Sequence, residues 1–381
     1  MTNYDAIVIG GGPAGSACAS TLVKGGLHVL VVDRARFPRV KLCAGWISPA
    51  VWQVLELSPS AYPCGLWEWQ QGHVHYAGKT YTLRVHGYFI RRCEFDHYLL
   101  KRSGATVVEG QLVREVERDR EGYWIVDHQY RAKYLIGAGG TQCPVARALF
   151  PKKIAPPVTT QEREFEEAPN DIAECRIGGD GEPEILLHDD LKGYSWNIPK
   201  TAWLNVGSGT LEPRAILAAW QQARTFFRES DGNGHLPVSC DTVLNRVKGH
   251  AYYLFHPAHL TTCHRDNVFL VGDALGLAHP VTGEGILPAV LSGRICAEVI
   301  VAGTRENYRQ RLEEHSIIRD YKFLHRGRES GFSLMARIGI NRFQKLNFLI
   351  GPFLVKFFAY FLSGKPLFGH HLTERFVRME R

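Results

Sequence analysis

Two glycine-rich loops, one near each end of the 381-residue chain, constrain its fold more than any other feature. The first loop, Gly10 to Gly15, has the spacing G-x-G-x-x-G and follows a short apolar run at residues 4–9. Because buried parallel strands have such continuous apolar runs, we predict a strand that turns sharply into a helix over about residues 13–25. Gly10 permits the tight turn, Gly12 lets a phosphate approach the backbone, and Gly15 lets the helix pack against the sheet.

The residues after the first loop continue the pattern of a dinucleotide-binding unit. A second apolar run, Val29 to Val32, ends at Asp33. An acidic residue at this place can accept hydrogen bonds from ribose hydroxyls, and the N-terminus of the preceding helix stabilises a diphosphate. Strand, helix, strand and acid in this order predict a dinucleotide site, but they do not separate NAD from FAD.

The second glycine-rich loop separates these two cofactors. It begins after an apolar strand predicted at residues 268–271, with Gly272 and Asp273 at the end of that strand. A carboxylate there can bind the hydroxyls of a ribityl chain, which FAD has and NAD lacks. Gly283 and Gly285 precede a predicted helix whose N-terminus would stabilise negative charge on a reduced flavin. The two loops together predict FAD.

A further segment resembles the geranylgeranyl reductase family of FAD-dependent oxidoreductases, which share the fold of the aromatic hydroxylases. Residues 37–45 are similar to a basic, Cys- and Gly-containing segment that lies beside the flavin in that family, with Ala44 where a glycine is usual. The resemblance implies that Cys43, Ala44 and Gly45 lie at the flavin. It also makes Cys43 a candidate for proton transfer or flavin positioning; the alternative is a small buried apolar residue.

Two more segments extend the same resemblance. Residues 92–96 match the R-x-x-F-D start of a helix whose arginine, here Arg92, reaches the FAD in that family. Residues 194–199, Y-S-W-N-I-P, match a segment of the family's substrate wall. Because Tyr194 and Trp196 alternate on a predicted strand, both can face one pocket, and their flat rings suit a polyprenyl chain. Two aromatic residues of an ordinary sheet core are the alternative.

The pattern of elements predicts an α/β fold in which two domains interleave. A Rossmann-like FAD-binding domain is predicted from βα patterns, and an antiparallel-sheet substrate domain is predicted from alternating segments rich in Tyr, Trp, His and Thr. The FAD-binding domain takes residues 1–60, 91–155 and 256–303, the substrate domain takes residues 61–90 and 156–254, and residues 304–381 form a helical C-terminal segment.

Two regions between the loops carry more specific predictions. Strands are predicted at residues 106–108, 111–117, 123–126 and 133–137, and Val113 is placed to meet an adenine through its backbone. Residues 160–172 are acidic, and we predict that they form a solvated edge.

The cysteines indicate a protein without a metal centre. The nine cysteines include no C-x-x-C pair, and their odd number argues against a disulfide framework. We therefore expect free thiols, no iron–sulfur or zinc site, and a cytoplasmic location. We expect no signal peptide, since the chain enters its first strand at once.

The C-terminal segment has a different character from the rest of the chain. Residues 319–381 hold 12 Lys or Arg and 4 Asp or Glu, whereas the whole chain has a net charge of +7. Apolar residues at 348–362 are interleaved with this positive charge. We expect peripheral contact with the inner face of a membrane and no nucleic-acid partner. The alternatives are helices that line a lipid-sized tunnel, or an ordinary helix pair that closes the substrate domain.

The resemblance implies a reductase that saturates isolated double bonds of a polyprenyl, geranylgeranyl-type substrate by hydride transfer from flavin N5. One alternative is a flavin monooxygenase that acts on an apolar compound, and another is a non-catalytic flavoprotein that binds a lipid. His279 is a second candidate acid, or else a hydrogen-bonded loop residue. Gly139 stands where many hydroxylases of this fold have an Asp that helps to hold FAD and NADPH. The electron donor therefore stays open between NAD(P)H and a separate carrier such as ferredoxin.

Overall fold

The computed structural model describes residues 1–166, 182–200, 202–229 and 247–338, with side chains as far as residue 331. In these ranges the chain forms two eight-stranded sheets with helices packed around them, which confirms the predicted α/β class. The apolar residues at 348–362 and the acidic residues at 167–172 lie outside the described part of the chain.

The first sheet is mostly parallel, and both glycine-rich loops follow its strands. With strands numbered in chain order over both sheets, it consists of β1 (Thr2–Ile9), β2 (Val29–Asp33), β6 (Thr106–Glu109), β7 (Val116–Arg118), β8 (Trp124–Val126), β9 (Tyr130–Gly137), β15 (His264–Arg265) and β16 (Val268–Leu270). The order is β15-β16-β9-β1-β2-β6, and β8 pairs with both β7 and β9. The parallel strands β16, β9, β1 and β2 end at one edge, where open α/β sheets bind their ligands.

The second sheet is mostly antiparallel. It consists of β3 (Trp46–Ile47), β4 (Leu66–Tyr76), β5 (Lys79–Ile90), β10 (Val158–Glu166), β11 (Glu184–Leu187), β12 (Gly193–Lys200), β13 (Trp203–Thr210) and β14 (Lys248–Tyr252). The order is β14-β10-β13-β12-β11-β4-β5-β3. All of these strands except β3 come from the two segments assigned to the substrate domain. The division into domains itself stays a prediction.

The helices in the described ranges flank the two sheets. They are α1 (Pro13–Lys24), α2 (Pro49–Val54), α3 (Arg92–Arg102), α4 (Pro144–Leu149), α5 (Ile216–Glu229), α6 (Ile286–Val301), α7 (Tyr308–Glu314) and α8 (Ser316–Ile338). Helices α1 and α6 touch closely, since a Cβ on Gly293 would lie 2.2 Å from the carbonyl oxygen of Ala14. The largest apolar core lies between these helices, α3 and the first sheet. Among the described helices, none is both long and apolar enough to cross a membrane.

The prediction of a solvated edge at residues 160–172 is wrong for residues 160–162, whereas Glu166 is exposed. These residues belong to β10, which lies between β13 and β14 inside the second sheet. Pairing on both sides as far as Glu162 shields this part of the strand from solvent, and Glu162 is 0% exposed. The neighbouring Glu164 is stabilised by Lys200, whose Nζ lies 2.7 Å from its carboxylate. Acidic composition therefore misled the prediction because the balancing cation is distant in sequence.

The strand predicted at residues 111–117 is also wrong over most of its length, since β7 begins at Val116. The backbone N–H groups of Arg114 and Glu115 each donate to Asp127 Oδ1 at 2.9 Å rather than to a neighbouring strand. Residues 111–115 therefore form a loop, and this loop places Val113 in the lining of the cavity.

Candidate flavin site

A cavity of about 840 Å³ lies between the two sheets, and both glycine-rich loops line it. Small-molecule and cofactor pockets usually measure about 300–1,000 Å³. The sequence-predicted residues that line it are Gly10, Gly12, Asp33, Cys43, Ala44, Arg92, Val113, Tyr194, Trp196, Asp273, Gly283 and Gly285. Gly15, Gly45 and Gly272 are not among the lining residues. Each packs tightly against a neighbouring part of the chain that supports the cavity. What each of these residues does toward FAD stays a prediction.

The first loop has the backbone geometry that its spacing predicts. Gly10 has a φ of +114°, and a Cβ there would lie 2.4 Å from the carbonyl oxygen of Ala138. A Cβ on Gly15 would lie 1.9 Å from Gly10 O, so no other residue fits without movement of the backbone. Gly12 has no backbone neighbour of this kind and opens to the cavity at the start of α1. The helix N-terminus therefore faces the space where a diphosphate would bind.

Asp33, at the end of β2, holds the first loop in place. Its carboxylate accepts a hydrogen bond from Gly11 N at 2.7 Å and another from Ala35 N at 2.8 Å. An ionised carboxylate has about four acceptor positions, so it can still accept from a ribose hydroxyl. Val113 lies along the same cavity, as its predicted contact with adenine requires.

Five basic residues line the cavity, and of these only Arg92 was predicted; the others are Arg34, Arg39, Lys41 and Arg147. Arg92 donates to both oxygens of the fully buried Asp96, at 2.7 and 2.8 Å, and Arg39 Nη2 lies 3.0 Å from the same carboxylate. Burial lowers the pKa of Lys41, and the nearby Asp273 opposes this shift. These basic residues place positive charge along the cavity, where it can meet a diphosphate.

The second loop brings Asp273 to the start of α6, which begins at Ile286 as predicted. A Cβ on Gly285 would lie 3.3 Å from Asp273 Oδ1, and Gly272 N donates to Ser292 Oγ at 2.9 Å. A Cβ on Gly283 would lie only 2.3 Å from the Tyr252 hydroxyl. The absence of side chains at these glycines lets the acid, the helix end and the second sheet come together.

His279 has the properties of a loop residue rather than of an acid. Its Nδ1 accepts hydrogen bonds from Val281 N at 3.1 Å and from Thr282 N at 3.0 Å. Burial lowers its pKa to about 3, so the ring is neutral at physiological pH. His279 is also absent from the lining of the cavity. These observations favour the hydrogen-bonded loop role.

The Cys43 segment lines the same cavity. Cys43 is half-buried, and its Sγ accepts a hydrogen bond from Gly45 N at 3.3 Å. Gly45 has a φ of +77°, and a Cβ there would lie 2.0 Å from Ile90 O, so this position requires glycine. The segment is thus held against the end of β5.

Tyr194 and Trp196 face the same cavity, as their alternation on β12 predicts. Their ring centroids lie 5.8 Å apart. The Tyr194 hydroxyl donates to Thr282 O, and Trp196 Nε1 donates to Asn205 Oδ1 at 2.7 Å. The polar atoms of both rings are therefore satisfied by the protein.

Sequence reasoning missed three polar residues of the second sheet that line the cavity: Thr160, Glu162 and His250. Thr160 Oγ1 lies 2.8 Å from His250 Nδ1. Burial lowers the pKa of His250 to about 3. The period-two alternation of Thr160 and Glu162 was the available signal, but the acidic composition obscured it.

The donor set fits FAD better than a metal ion. The cavity combines a helix N-terminus, cations for a diphosphate and carboxylates at both ends for hydroxyl groups. Within the described ranges, no group of three or more His, Cys, Asp or Glu side chains could hold a metal ion.

Comparisons with known proteins agree with this geometry. Residues 8–40 match the family of NAD(P)-binding Rossmann-like domains. An uncharacterized protein of Methanosarcina barkeri is 30% identical over 344 residues, which cover 84% of this chain and 82% of that protein. The chloroplastic geranylgeranyl diphosphate reductase of Nicotiana tabacum is 27% identical, over 84% of this chain and 70% of its own length.

A solved structure supports the fold. The geranylgeranyl bacteriochlorophyll reductase-like protein of Thermoplasma acidophilum superposes with a TM-score of 0.65 at 19% identity, covering 96% of this chain and 93% of its own. Two glycine-rich loops that meet at one cavity, together with relatives that match most of the chain, show that this protein is an FAD-dependent oxidoreductase and belongs to the geranylgeranyl reductase family.

Proposed function

We propose that this enzyme saturates isolated double bonds of a polyprenyl, geranylgeranyl-type substrate. The observation that carries the proposal is an aromatic wall, formed by Trp46, Tyr194, Trp196 and Tyr252, in the cavity that both glycine-rich loops line. Aromatic rings bury large apolar areas and suit the methyl and methylene groups of an isoprene chain. Several relatives are geranylgeranyl or digeranylgeranylglycerophospholipid reductases, which supports the same substrate class.

The protein's own contribution to such a reaction is geometric. Reduced FAD supplies the hydride. An isolated alkene has no carbonyl to polarise, so the protein must hold the double bond in place and exclude water. Tyr194 and Trp196 are held by hydrogen bonds to Thr282 and Asn205, which leaves their ring faces for the substrate.

Anaerobic single-turnover assays test the proposal. We would reduce the enzyme with dithionite, add geranylgeranyl diphosphate without O₂, and determine the mass of the product. We expect a gain of one H₂ for each double bond saturated. A product that gains oxygen in air, with no anaerobic reaction, would instead show a monooxygenase. Bound lipid without any flavin reoxidation would show a carrier.

A variant pair connects this activity with the aromatic wall. Trp196→Leu removes a ring of the wall and is expected to slow saturation. Trp67→Leu is the matched control, since Trp67 lies in the same sheet and is not a lining residue of the cavity. Equal activity in both variants would contradict the assignment of the wall.

We also propose that a separate carrier such as ferredoxin, rather than NAD(P)H, reduces the enzyme. Gly139 lines the cavity and carries no carboxylate, and a Cβ there would lie 3.1 Å from Cys143 Cα. Stopped-flow reduction is expected to be slow with NADPH and fast with reduced ferredoxin. Fast reduction by NADPH would reverse this assignment.

Peripheral contact with the inner face of the membrane completes the proposal. Arg319, Phe323 and Arg326 are exposed on α8, and Phe323 retains 50% of its accessible surface. Basic residues around an exposed aromatic ring are typical of helices that lie at anionic headgroups. We expect co-sedimentation with anionic vesicles that weakens in high salt and in the double variant Arg319→Ala/Arg326→Ala. Binding that salt leaves unchanged would argue against an electrostatic contact.

A further inference from the structure

Glu162 is a buried carboxyl group in an unusual setting. It lies on β10, is 0% exposed as a residue and lines the flavin cavity. Neither of its carboxylate oxygens makes a hydrogen bond of good geometry among the described residues, although the Asn205 side chain lies close enough to favour its charged form. Burial of a polar group without such bonds costs free energy, so its presence requires an explanation.

The cross-strand register places this carboxyl group beside the aromatic wall. Glu162 pairs with Gly207 on β13, and Gly207 pairs with Trp196 on β12. A Cβ on Gly207 would lie 2.2 Å from Trp196 Cζ2 and 2.8 Å from Glu162 Cβ. The indole therefore lies across the glycine and reaches the glutamate. A chain that binds along Trp196 would also pass Glu162.

The other carboxyl groups of the cavity have roles in its loops. Asp33 accepts from two backbone N–H groups, and Glu284 Oε1 accepts from Leu287 N at 2.7 Å at the start of α6. Asp273 lies beside Gly285 in the second loop. Glu162 is the lining carboxyl group on the substrate wall itself.

The charges around Glu162 favour its neutral form. Burial raises the pKa of Glu162 to about 7; Lys200, Lys41 and the Asn205 side chain oppose this shift, and Glu164 adds to it. Lys200 lies 2.7 Å from Glu164, so its charge is largely shared with that residue. His250 Nδ1, on β14, lies 3.8 Å from Glu162 Oε1, and burial keeps that imidazole neutral. A large fraction of Glu162 is therefore protonated near neutral pH.

We propose that Glu162 is the proton donor that completes the reduction, delivering its carboxyl proton to the alkene carbon that does not receive the hydride. The inference rests on the proposed function. In this step the π bond breaks and two C–H bonds form. Hydride from reduced FAD reaches one carbon, and the Glu162 O–H bond breaks to protonate the other. The two electrons come from reduced FAD, and the carboxylate regains a proton from water before the next turnover.

The test compares Glu162→Gln with Glu166→Gln, a control at the exposed end of the same strand. Each enzyme is reduced with dithionite and mixed anaerobically with geranylgeranyl diphosphate, and flavin reoxidation is followed over a range of pH. Since the acid form is required, the wild-type rate is expected to fall as the pH rises through about 7. Removal of a general acid slows a reaction about 10²–10⁴-fold, so Glu162→Gln should lose that much and also the pH dependence. Glu166→Gln should behave as the wild type.

Infrared spectroscopy gives a readout that does not depend on turnover. The substrate-free oxidised protein is expected to show the carbonyl band of a buried protonated carboxyl group, which fades as the pH rises through about 7. Glu162→Gln should lose the Glu162 component of this band and keep the component from Glu284, whose pKa burial also raises to about 7, whereas Glu166→Gln should keep both components. A spectrum that Glu162→Gln leaves unchanged would show that Glu162 is ionised and is not the donor.

The outcomes separate this inference from the proposed function. If the wild type saturates the substrate and Glu162→Gln does so at the same rate, Glu162 is not the donor while the reductase stands. If Glu162→Gln loses bound FAD, its role is structural and the inference is wrong. If the wild type saturates no polyprenyl substrate, both proposals fall.

Discussion

Asn205 Oδ1 accepts a hydrogen bond from Trp196 Nε1 at 2.7 Å, and Asn205 Nδ2 donates another to Cys43 O at 3.3 Å. One fully buried side chain of β13 therefore connects the aromatic wall with the Cys43 segment. These two parts of the site are distant in sequence and belong to different predicted domains. Their relative position depends on this amide.

Asn205→Ala is expected to destabilise the protein by about 1–3 kcal/mol, because the indole N–H and the Cys43 carbonyl would lose their buried partner. Urea unfolding measures this change, and the visible circular dichroism of the bound flavin reports any movement of the site. Asn3→Ala is the control, since Asn3 is exposed at the start of β1. An unchanged unfolding midpoint for Asn205→Ala would show that water replaces the amide without cost.

Gly207→Ala is expected to cost about 1–3 kcal/mol through overpacking, because its methyl group would overlap the Trp196 indole. Gly209→Ala, on the same strand, is a milder change, since its Cβ would lie 3.2 Å from Thr160 Cγ2. Thermal unfolding compares the two variants, and tryptophan fluorescence follows the indole. Equal losses of stability would contradict the specific contact with Trp196.

Asp96→Asn removes the carboxylate that neutralises two arginines. Loss of one partner from a buried ion pair costs about 3–5 kcal/mol, so we expect a large loss of stability and weaker binding of FAD. Asp119→Asn provides the matched comparison, because Asp119 also pairs with an arginine, Arg131, but lies at the surface. There we expect a change of about 0–1 kcal/mol. Similar effects from the two variants would be evidence against a buried network at the cavity.

The stability of the protein is expected to fall in acid partly through His279. Its folded pKa of about 3 lies below the ordinary value of 6.5, so the unfolded chain binds a proton more readily. The contribution of His279 is thus complete above pH 6.5 and is lost progressively as the pH falls toward 3. Between pH 7 and pH 5 this loss amounts to about 2 kcal/mol.

Urea unfolding of His279→Asn at these two pH values checks the assignment. The variant should be less sensitive to acid than the wild type, whereas His128→Asn, at an exposed position, should not differ from it. Identical slopes for the wild type and His279→Asn would assign the acid sensitivity to other groups.

Local spacing made much of the first sheet predictable. The turn from β1 into α1, the acid at the end of β2 and the start of α6 at Ile286 all follow from residues that are close in sequence. Glycines that permit a turn or a close approach leave such a signal because few other residues can replace them. The alternation of Tyr194 and Trp196 likewise predicted that both rings face one cavity.

The features that the sequence did not reveal are all contacts between residues that lie far apart in the chain. Glu162 is buried because β10 lies between two strands that follow it in the chain, and Arg39 is paired with Asp96 from another element. Nothing near Asn205 in the sequence indicates that it bonds both Trp196 and Cys43. Such contacts exist once the fold is complete, so residue type and periodicity alone do not predict them.

The close packing of α1 against α6 has a consequence for synthesis of the protein in the cell. Since a Cβ on Gly293 would overlap Ala14 O, the first helix finds its neighbour only after the ribosome has made α6. The flavin cavity, which both glycine-rich loops line, is therefore complete only after the second loop and α6 have been made. A ligand at a hundred times its dissociation constant adds about 2.7 kcal/mol to the native state. The protein without bound FAD lacks that stabilisation, and we expect limited proteolysis to degrade it faster than the FAD-bound protein.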